Sequence, residues 1–333
     1  MKFIVIWFVT FFCVISIQSH AETFDTKEPR WKQLSQAYGF ALGQQHSLEA
    51  IENKFPDLAK DVKEAWFSYN SSALGESTKS IEKELIKEAG DNWPKIKEEM
   101  RARLTDISNQ QEISRAQAVE FLNEVHGRSK GQLPKNLLKT LLSANPRYSK
   151  NPASELAEGW KQTFRSKGHS EAKGVDCSVN IPASWSQKDG NRPDMVQMFQ
   201  SGAGHGPVIT AMMVMSVPPP KLSKKEQKDF FTPSELKSTI PEGGKFILSK
   251  NVVIDGAPGA MVIYDIYQQG LDTITKARAT QFVTIRNDNK IIILSFIVYK
   301  YSNNFNTLDQ LQKLYLTTFK LIASSLVFND RYN

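Results

Sequence analysis

The chain has 333 residues, 40% of them hydrophobic, and its 42 lysines and arginines against 35 aspartates and glutamates leave a formal charge of +7. That length suffices for two ordinary domains. The lysines are spread among glutamates and no arginine-rich block stands out, which argues against nucleic acid as a partner and for a solvated basic surface.

Lys2 is followed by an apolar run from Phe3 to Ile17 and then by Ser19, His20 and Ala21. One positive charge, an apolar core too short for a comfortable membrane span and a small-residue end describe a secretory signal peptide over residues 1–21, cut after Ala21. The expected mature chain begins at Glu22 in the periplasm or outside the cell, with no transmembrane span left; an uncleaved anchor is the alternative. Losing Lys2 takes the formal charge from +7 to +6. Cys13 lies inside the apolar run, so Cys177 alone survives maturation and no internal disulfide is expected.

From Pro29 onward apolar residues recur at helical spacing. Trp31, Leu34, Tyr38, Ala41, Leu42, Leu48, Ile51 and Phe55 share one face, which Pro56 ends. Asp57 opens a second run with Leu58, Val62, Trp66 and Tyr69, and Ile81, Leu85, Ile86 and Ala89 mark a third that Gly90 closes. Ile96, Met100, Leu104 and Ile107 mark a fourth, followed by short helices at 114–125 and 133–142, broken at Gly127 and Gly131. Asn151 and Pro152 start a last helix carrying Leu156, Trp160 and Phe164. No repeat length joins these segments, so residues 22–165 are expected to form an irregular helical bundle. Its aromatic residues, Trp31, Tyr38, Trp66, Phe67, Tyr69 and Trp93, are read as core.

A polar, glycine-bearing stretch at 166–174 is read as a linker and as a possible rim of a site. Strands then follow: 175–185, and a hairpin of 195–199 with 208–217 across Gly202, Gly204 and Gly206. Pro218, Pro219 and Pro220 stop it, Phe230, Phe231 and Leu236 mark a helical excursion, and 246–254 is another strand. After a turn at Asp255, Gly256, Pro258 and Gly259, the run 260–268 is apolar on both faces apart from Asp265, which implies a strand covered on both sides. Gly270 and Asp272 connect it to 277–286, and Asn287, Asp288 and Asn289 turn into 291–301, read as the central strand of an antiparallel meander. The period resets at Asn306 and Thr307, where Leu308, Leu311, Leu314, Tyr315, Phe319, Ile322 and Leu326 specify a helix lying on the sheet. The expected fold class is α+β, with the helical bundle followed at 175–328 by an α/β/α sandwich built on an antiparallel sheet.

Ile181, Pro182 and Trp185 after the first strand, Ile254, Gly256 and Gly259 at the middle turn, and Ser325, Leu326 and Phe328 closing the last helix give this second domain a recognisable outline. It resembles the PsbP-like fold of extrinsic photosystem proteins, a Ran-binding nuclear import factor and the bacterial DcrB-like periplasmic proteins. The resemblance implies an antiparallel sheet between helices and binding or assembly in place of catalysis. It transfers no functional residue, because members of such a fold use unlike surfaces.

For chemistry, the glycines at 202, 204 and 206 lead into a strand where a phosphate loop would lead into a helix. His46, His126, His169 and His205 have no partner at metal-ligand spacing, so no metal is expected, although His169 and His205 could converge near the first hairpin. Cys177 is read as a small buried apolar residue at a strand start, with an intermolecular link as the alternative; as a nucleophile it would need His169 or His205 beside it, and Ser184 and Ser201 lack a nucleophile elbow. No catalytic residue and no cofactor is assigned. Binding is assigned to Lys188, Arg192 and Asp194 in a charged turn facing Gly204 and His205, with His169 nearby. The resulting expectation is an exported, non-catalytic binding or assembly protein of a bacterial envelope that binds another envelope protein or a small ligand. A hydrolase or other enzyme with its site at the domain junction, and a chaperone for exported clients with an apolar groove, are the alternatives.

Overall fold

The computed structural model describes residues 29–109, 112–217, 223–269, 274–286, 289–299 and 307–332. The readings placed on residues 1–22, Pro218 to Pro220, Gly270, Asp272, Asn287, Asp288, Tyr301 and Asn306 lie outside the described residues. The chain forms two compact units, a helical one at Thr26–Lys150 and a second that begins at Asn151.

The helical unit follows the periodicity of its sequence. Helices α1 (Arg30–Lys54), α2 (Ala59–Asn70), α3 (Ala73–Ala89), α4 (Trp93–Asn109), α5 (Arg115–Ser129), α6 (Lys135–Ser143) and α7 (Pro146–Lys150) are joined by short turns. α1 is central, packing against α2 through α6 with Leu34, Tyr38, Leu42, Leu48 and Ile51 buried. Tyr38 meets Trp93 at 5.3 Å between ring centroids and donates to Glu82 Oε1 at 2.9 Å. Burial alone would raise the Glu82 carboxyl, but hydrogen bonds from Lys97 and Tyr38 hold it below the ordinary glutamate range. Two aromatic residues read as core are on the surface: Trp31 is 59% exposed and Phe67 73%. Gly127 does not break α5, which runs on to Ser129.

The second unit is a sheet domain. Its large sheet contains β3 (Ser186–Asp189), β4 (Met195–Gln200), β5 (Val208–Ser216), β6 (Lys245–Ile254), β7 (Ala257–Gln269), β8 (Ile274–Arg286) and β9 (Lys290–Tyr299) in the order β3-β4-β5-β9-β8-β7-β6, with every neighbouring pair antiparallel. β9 is therefore central, as its unbroken apolar run demands. Two meanders, β3-β4-β5 and β6-β7-β8-β9, meet at the β5–β9 pair.

A smaller sheet of β1 (Lys161–Arg165), β2 (Cys177–Pro182) and β10 (Val327–Phe328) shares one core with the large sheet, through Phe164, Val179 and Phe328 against Phe199, Phe282 and Phe296. α11 (Leu308–Ser324) covers the same face, capped by Thr307, whose hydroxyl accepts from Gln310 N at 3.2 Å. Its Phe319 stacks on Phe296 at 4.5 Å, and Gln312 Nε2 donates to Thr280 Oγ1 at 2.6 Å. Each large side chain buried under α11 contributes roughly 1.5–3 kcal/mol before chain entropy is subtracted. The opposite face is covered by α9 (Lys224–Phe230) and α10 (Pro233–Ser238) through Phe230, Phe231 and Leu236. The architecture is α+β, with an antiparallel sheet between helical layers.

Two expected elements differ. The segment read as a helix at 151–164 holds only the short α8 (Ala153–Ala157), and Lys161–Arg165 is a strand paired with β2. The stretch 166–174, read as a linker, joins these paired strands as a closed loop, with Ser166 N donating to Cys177 O at 2.8 Å. The boundary therefore falls at Lys150/Asn151, because Phe164 buries itself in the sheet core. The run 175–185 likewise serves both sheets, turning between β2 and β3 at 183–185.

Candidate functional site

Two polar assemblies of the sheet domain lie near residues singled out by sequence. The first is the corner where the chain leaves the small sheet for the large one. A backbone changing sheets has no ladder partners and must be satisfied by other groups. Here Ala183 N donates to Trp160 O at 3.1 Å, and Gln162 Nε2 donates to Pro182 O at 3.0 Å and Trp185 O at 2.6 Å. The Glu155 carboxylate takes both donors of Ser184, backbone N at 2.6 Å and Oγ at 2.7 Å. Ser184 O in turn accepts from Ala203 N at 2.8 Å, docking the 201–206 turn onto the corner.

Glu155 is 3% exposed, and burial pushes its carboxyl up to about 7 although both Ser184 bonds favour the anion. The Tyr315 hydroxyl lies beside Ser201 and within reach of the Glu155 charge, and burial pushes it up to about 12. Serine, tyrosine and a near-neutral acid are catalytic residue types. In this corner, however, each oxygen of the acid is held by a Ser184 donor, and Ser201 Oγ accepts from Val208 N at 3.1 Å to close the turn. Gly206 fits there because it lacks a side chain: a Cβ would stand 2.2 Å from Ser201 Oγ and 2.7 Å from Ser201 C. Gly206→Ala is expected to cost about 1–3 kcal/mol, read as a lowered urea midpoint with an unchanged slope.

The second assembly braces two surface loops. Asp194 closes the β3–β4 hairpin, and its N–H donates to Glu171 Oε2 at 2.8 Å while its carboxylate pairs with Lys173. Its carbonyl accepts from Val214 N at 2.8 Å, beside the bulge between Met195 and Gln197. Lys173 (φ 52°) and Asp194 (φ 69°) both occupy the left-handed region that non-glycine residues rarely enter. Such backbone persists only where its surroundings over-determine it. The loop 166–174 and the turn 190–194 are thus one rigid feature, with Arg192 in the turn and Lys188 on β3.

The candidate binding residues are divided accordingly. Asp194 is in the brace, Arg192 is in its turn, and His169 belongs to the braced loop, where its ring meets Phe164 at 5.1 Å. Lys188 lies on β3 opposite Met198 of β4. Gly204 and His205 are in the turn after β4, at the other end of that strand from Asp194, so the expectation that the charged turn faces them is corrected. The alternating pleat of β3 and β4 separates the two turns by the length of the strand.

Glu171 and Lys173, which make the brace, were not singled out by sequence. Lys173–Gly174 following Gly168 is the one signal that could have found them, since consecutive left-handed residues favour such a pair. Glu155 has no local signal.

Cys177 is fully buried, 3.3 Å from Ser166 Oγ, and burial pushes its thiol up to about 11. A thiol so placed is protonated at neutral pH and a poor nucleophile. It is expected to resist a disulfide-exchange reagent at pH 8 in the native protein and to react stoichiometrically in denaturant, followed by thiolate release. Among the described residues, no group of three histidines, cysteines or carboxylates is placed to hold a metal, and no helix is long and apolar enough to cross a membrane.

The chain is similar to cyanobacterial PsbP. The solution structure of that protein (CyanoP) from Synechocystis sp. PCC 6803 matches 50% of this chain and 92% of its own, at 14% identity and a TM-score of 0.33. The crystal structure of LpqN, involved in cell envelope biogenesis of Mycobacterium tuberculosis, matches 53% of this chain and 96% of its own, at 11% identity and a TM-score of 0.30. No family model matches the chain. No curated protein matches it. Likenesses this distant transfer no site and no partner.

Proposed function

We propose that this is an exported, non-catalytic binding or assembly protein of a bacterial envelope, and that the braced loop pair around Asp194 is its contact surface for another envelope protein or a small envelope ligand. Export is supported by the apolar run from Phe3 to Ile17 and the small residue Ala21. The contact reading rests on one observation: two surface loops are locked together by the Glu171–Asp194–Lys173 brace, each held in backbone that costs free energy to maintain. Loops fixed on a rigid sheet are the usual place for recognition, and rigidity reduces the entropy lost on binding. Charge at this feature comes from Lys188, Arg192 and Asp189, with His169 beside it.

The test is crosslinking in the native host of tagged protein, comparing wild type with Arg192→Ala, Lys188→Ala and the brace variant Asp194→Ala. One stoichiometric envelope partner lost in all three variants is the expected result. Recovery of the protein alone and monomeric, with the same result in each variant, would overturn the reading.

A further inference from the structure

β6 is the outermost strand of the large sheet and pairs on one side only, with β7. The β6–β7 hairpin is closed by Asp255 (φ 46°) and Gly256 (φ 72°), a two-residue turn of the kind that matches strand twist, between the facing residues Ile254 and Ala257. In such a hairpin the closing pair is hydrogen-bonded and the pattern alternates outward from it. Ile254, Val252 and Lys250 therefore direct their backbone groups to β7. Val253, Asn251 and Ser249 direct theirs away from the sheet. Val253 faces Pro258, which has no N–H to give and which a non-hydrogen-bonded position accommodates.

Among the described residues no backbone bond outside the strand ladders engages Ser249, Asn251 or Val253, and β6 pairs with β7 alone. The side chains around them suit contact better than solvent: Val253 is 73% exposed, Leu248 40% and Ile247 38%. A bulge between Phe246 and Leu248 interrupts the first part of the strand and guards it against pairing. The open, regular part is 249–253. β3, at the other edge, is a strand of four residues.

Charge selects the occupant. β6 carries Lys245 and Lys250, both exposed, and no carboxylate, on a chain with an overall charge of +7. Pairing with a second copy would bring Lys250 of both strands into one ribbon whose two β6 strands carry no carboxylate, and like charges across strands destabilise. We propose that residues 249–253 on the outer edge of β6 accept an extended acidic segment of a partner protein by strand addition. Backbone hydrogen bonds to Ser249, Asn251 and Val253 hold the segment, carboxylates meet Lys250, and an apolar side chain covers Val253. This surface is separate from the braced loops, and neither reading depends on the other.

The experiment is fluorescence anisotropy of purified full-length protein with a short fluorescein-labelled peptide of alternating valine and glutamate, beside its valine–lysine counterpart. The acidic peptide is expected to bind about tenfold or more tightly than the basic one, with Lys250→Glu reversing the preference. Val253→Pro removes an outward N–H that no ladder bond uses, and proline is tolerated at such edge positions. It is expected to weaken the acidic peptide about tenfold while circular dichroism and the thermal midpoint stay near wild type. Should Val253→Pro fail to fold, the Lys250→Glu reversal remains the deciding readout. The proposal is overturned if the acidic peptide shows no saturation by about 1 mM, if Val253→Pro folds and binds it unchanged, or if sedimentation shows a wild-type dimer that Val253→Pro makes monomeric.

Discussion

Asp265→Ala is expected to lower the unfolding free energy by about 3–5 kcal/mol, the cost of stranding a buried cation. Asp265 sits on β7 directly opposite Arg278 of β8, and its carboxylate receives Arg278 Nε at 2.7 Å and Lys276 Nζ at 2.9 Å. The Asp265 side chain is 4% exposed and Arg278 11%. Arg278 also reaches Asp309 at the start of α11, but that carboxylate is 78% exposed and solvated. Removing Asp265 therefore leaves a guanidinium that has lost its hydration and its main acceptor. A urea titration is expected to show a lower midpoint with an unchanged slope. A paired replacement, Asp265→Leu with Arg278→Met, is expected to recover much of the loss, since apolar pairs of similar size often match a buried ion pair. Additive losses from the two single changes would refute the coupling.

The pH dependence of the same site follows. Burial acts to raise the Asp265 carboxyl and is the largest single influence, but Arg278 and Lys276 together hold it below the ordinary aspartate range. The unfolded chain then takes up a proton at higher pH than the native one. Stability from this group is present above the ordinary aspartate pKa and is lost as the pH falls through the lower folded value. Asp265→Ala should lack this acid-side decline.

Asp265 also illustrates what was legible in the sequence. The run around it, apolar on both faces apart from this one charge, marked a strand covered on both sides, and both faces are covered. The central place of β9, the Thr307 cap and the apolar face of α11 were legible for the same reason: periodicity records burial locally. The residues carrying the fold resemblance, distant in sequence, also meet in space. Phe328 N donates to Asp255 at the turn that holds Gly256, and Asn180 N, next to Ile181, donates to Ser325 Oγ at 2.9 Å.

What was not legible depended on pairing across the chain. Trp160 and Phe164 satisfy a helical spacing as well as a strand alternation, and only the partner β2 decides between them. The candidate site failed in part for a similar reason. Asp194 and His205 are eleven positions apart in sequence and both flank glycine-bearing turns, but β4 is extended between them and holds them at opposite ends. The burial of Cys177, by contrast, was legible from its place at the start of a strand, and it is fully buried.

Glu155 lies entirely beyond sequence reasoning and gives the second large effect. An exposed glutamate titrates near 4.5, whereas burial pushes this one to about 7. Between those values the native protein holds a proton that the unfolded chain has released, so stability falls as the pH rises. The contribution is complete below 4.5 and gone above 7, the reverse of Asp265. At about 1.4 kcal/mol for each pH unit, wild type should lose about 3 kcal/mol across this window through Glu155. The other titratable group facing it, Tyr315, stays protonated throughout. Glu155→Gln keeps one acceptor for Ser184 and cannot ionise. It is expected to cost about 1–3 kcal/mol near pH 5, where the wild-type acid is largely neutral, because its amide lacks a second partner. By pH 8 wild type should have lost most of that advantage. Urea titrations at a series of pH values decide the matter: a difference between the two proteins that stays constant from pH 5 to about pH 8 would mean that Glu155 ionises like an exposed acid. Ser184→Ala then separates burial from hydrogen bonding, since losing the hydroxyl that favours the anion should move the transition to still higher pH.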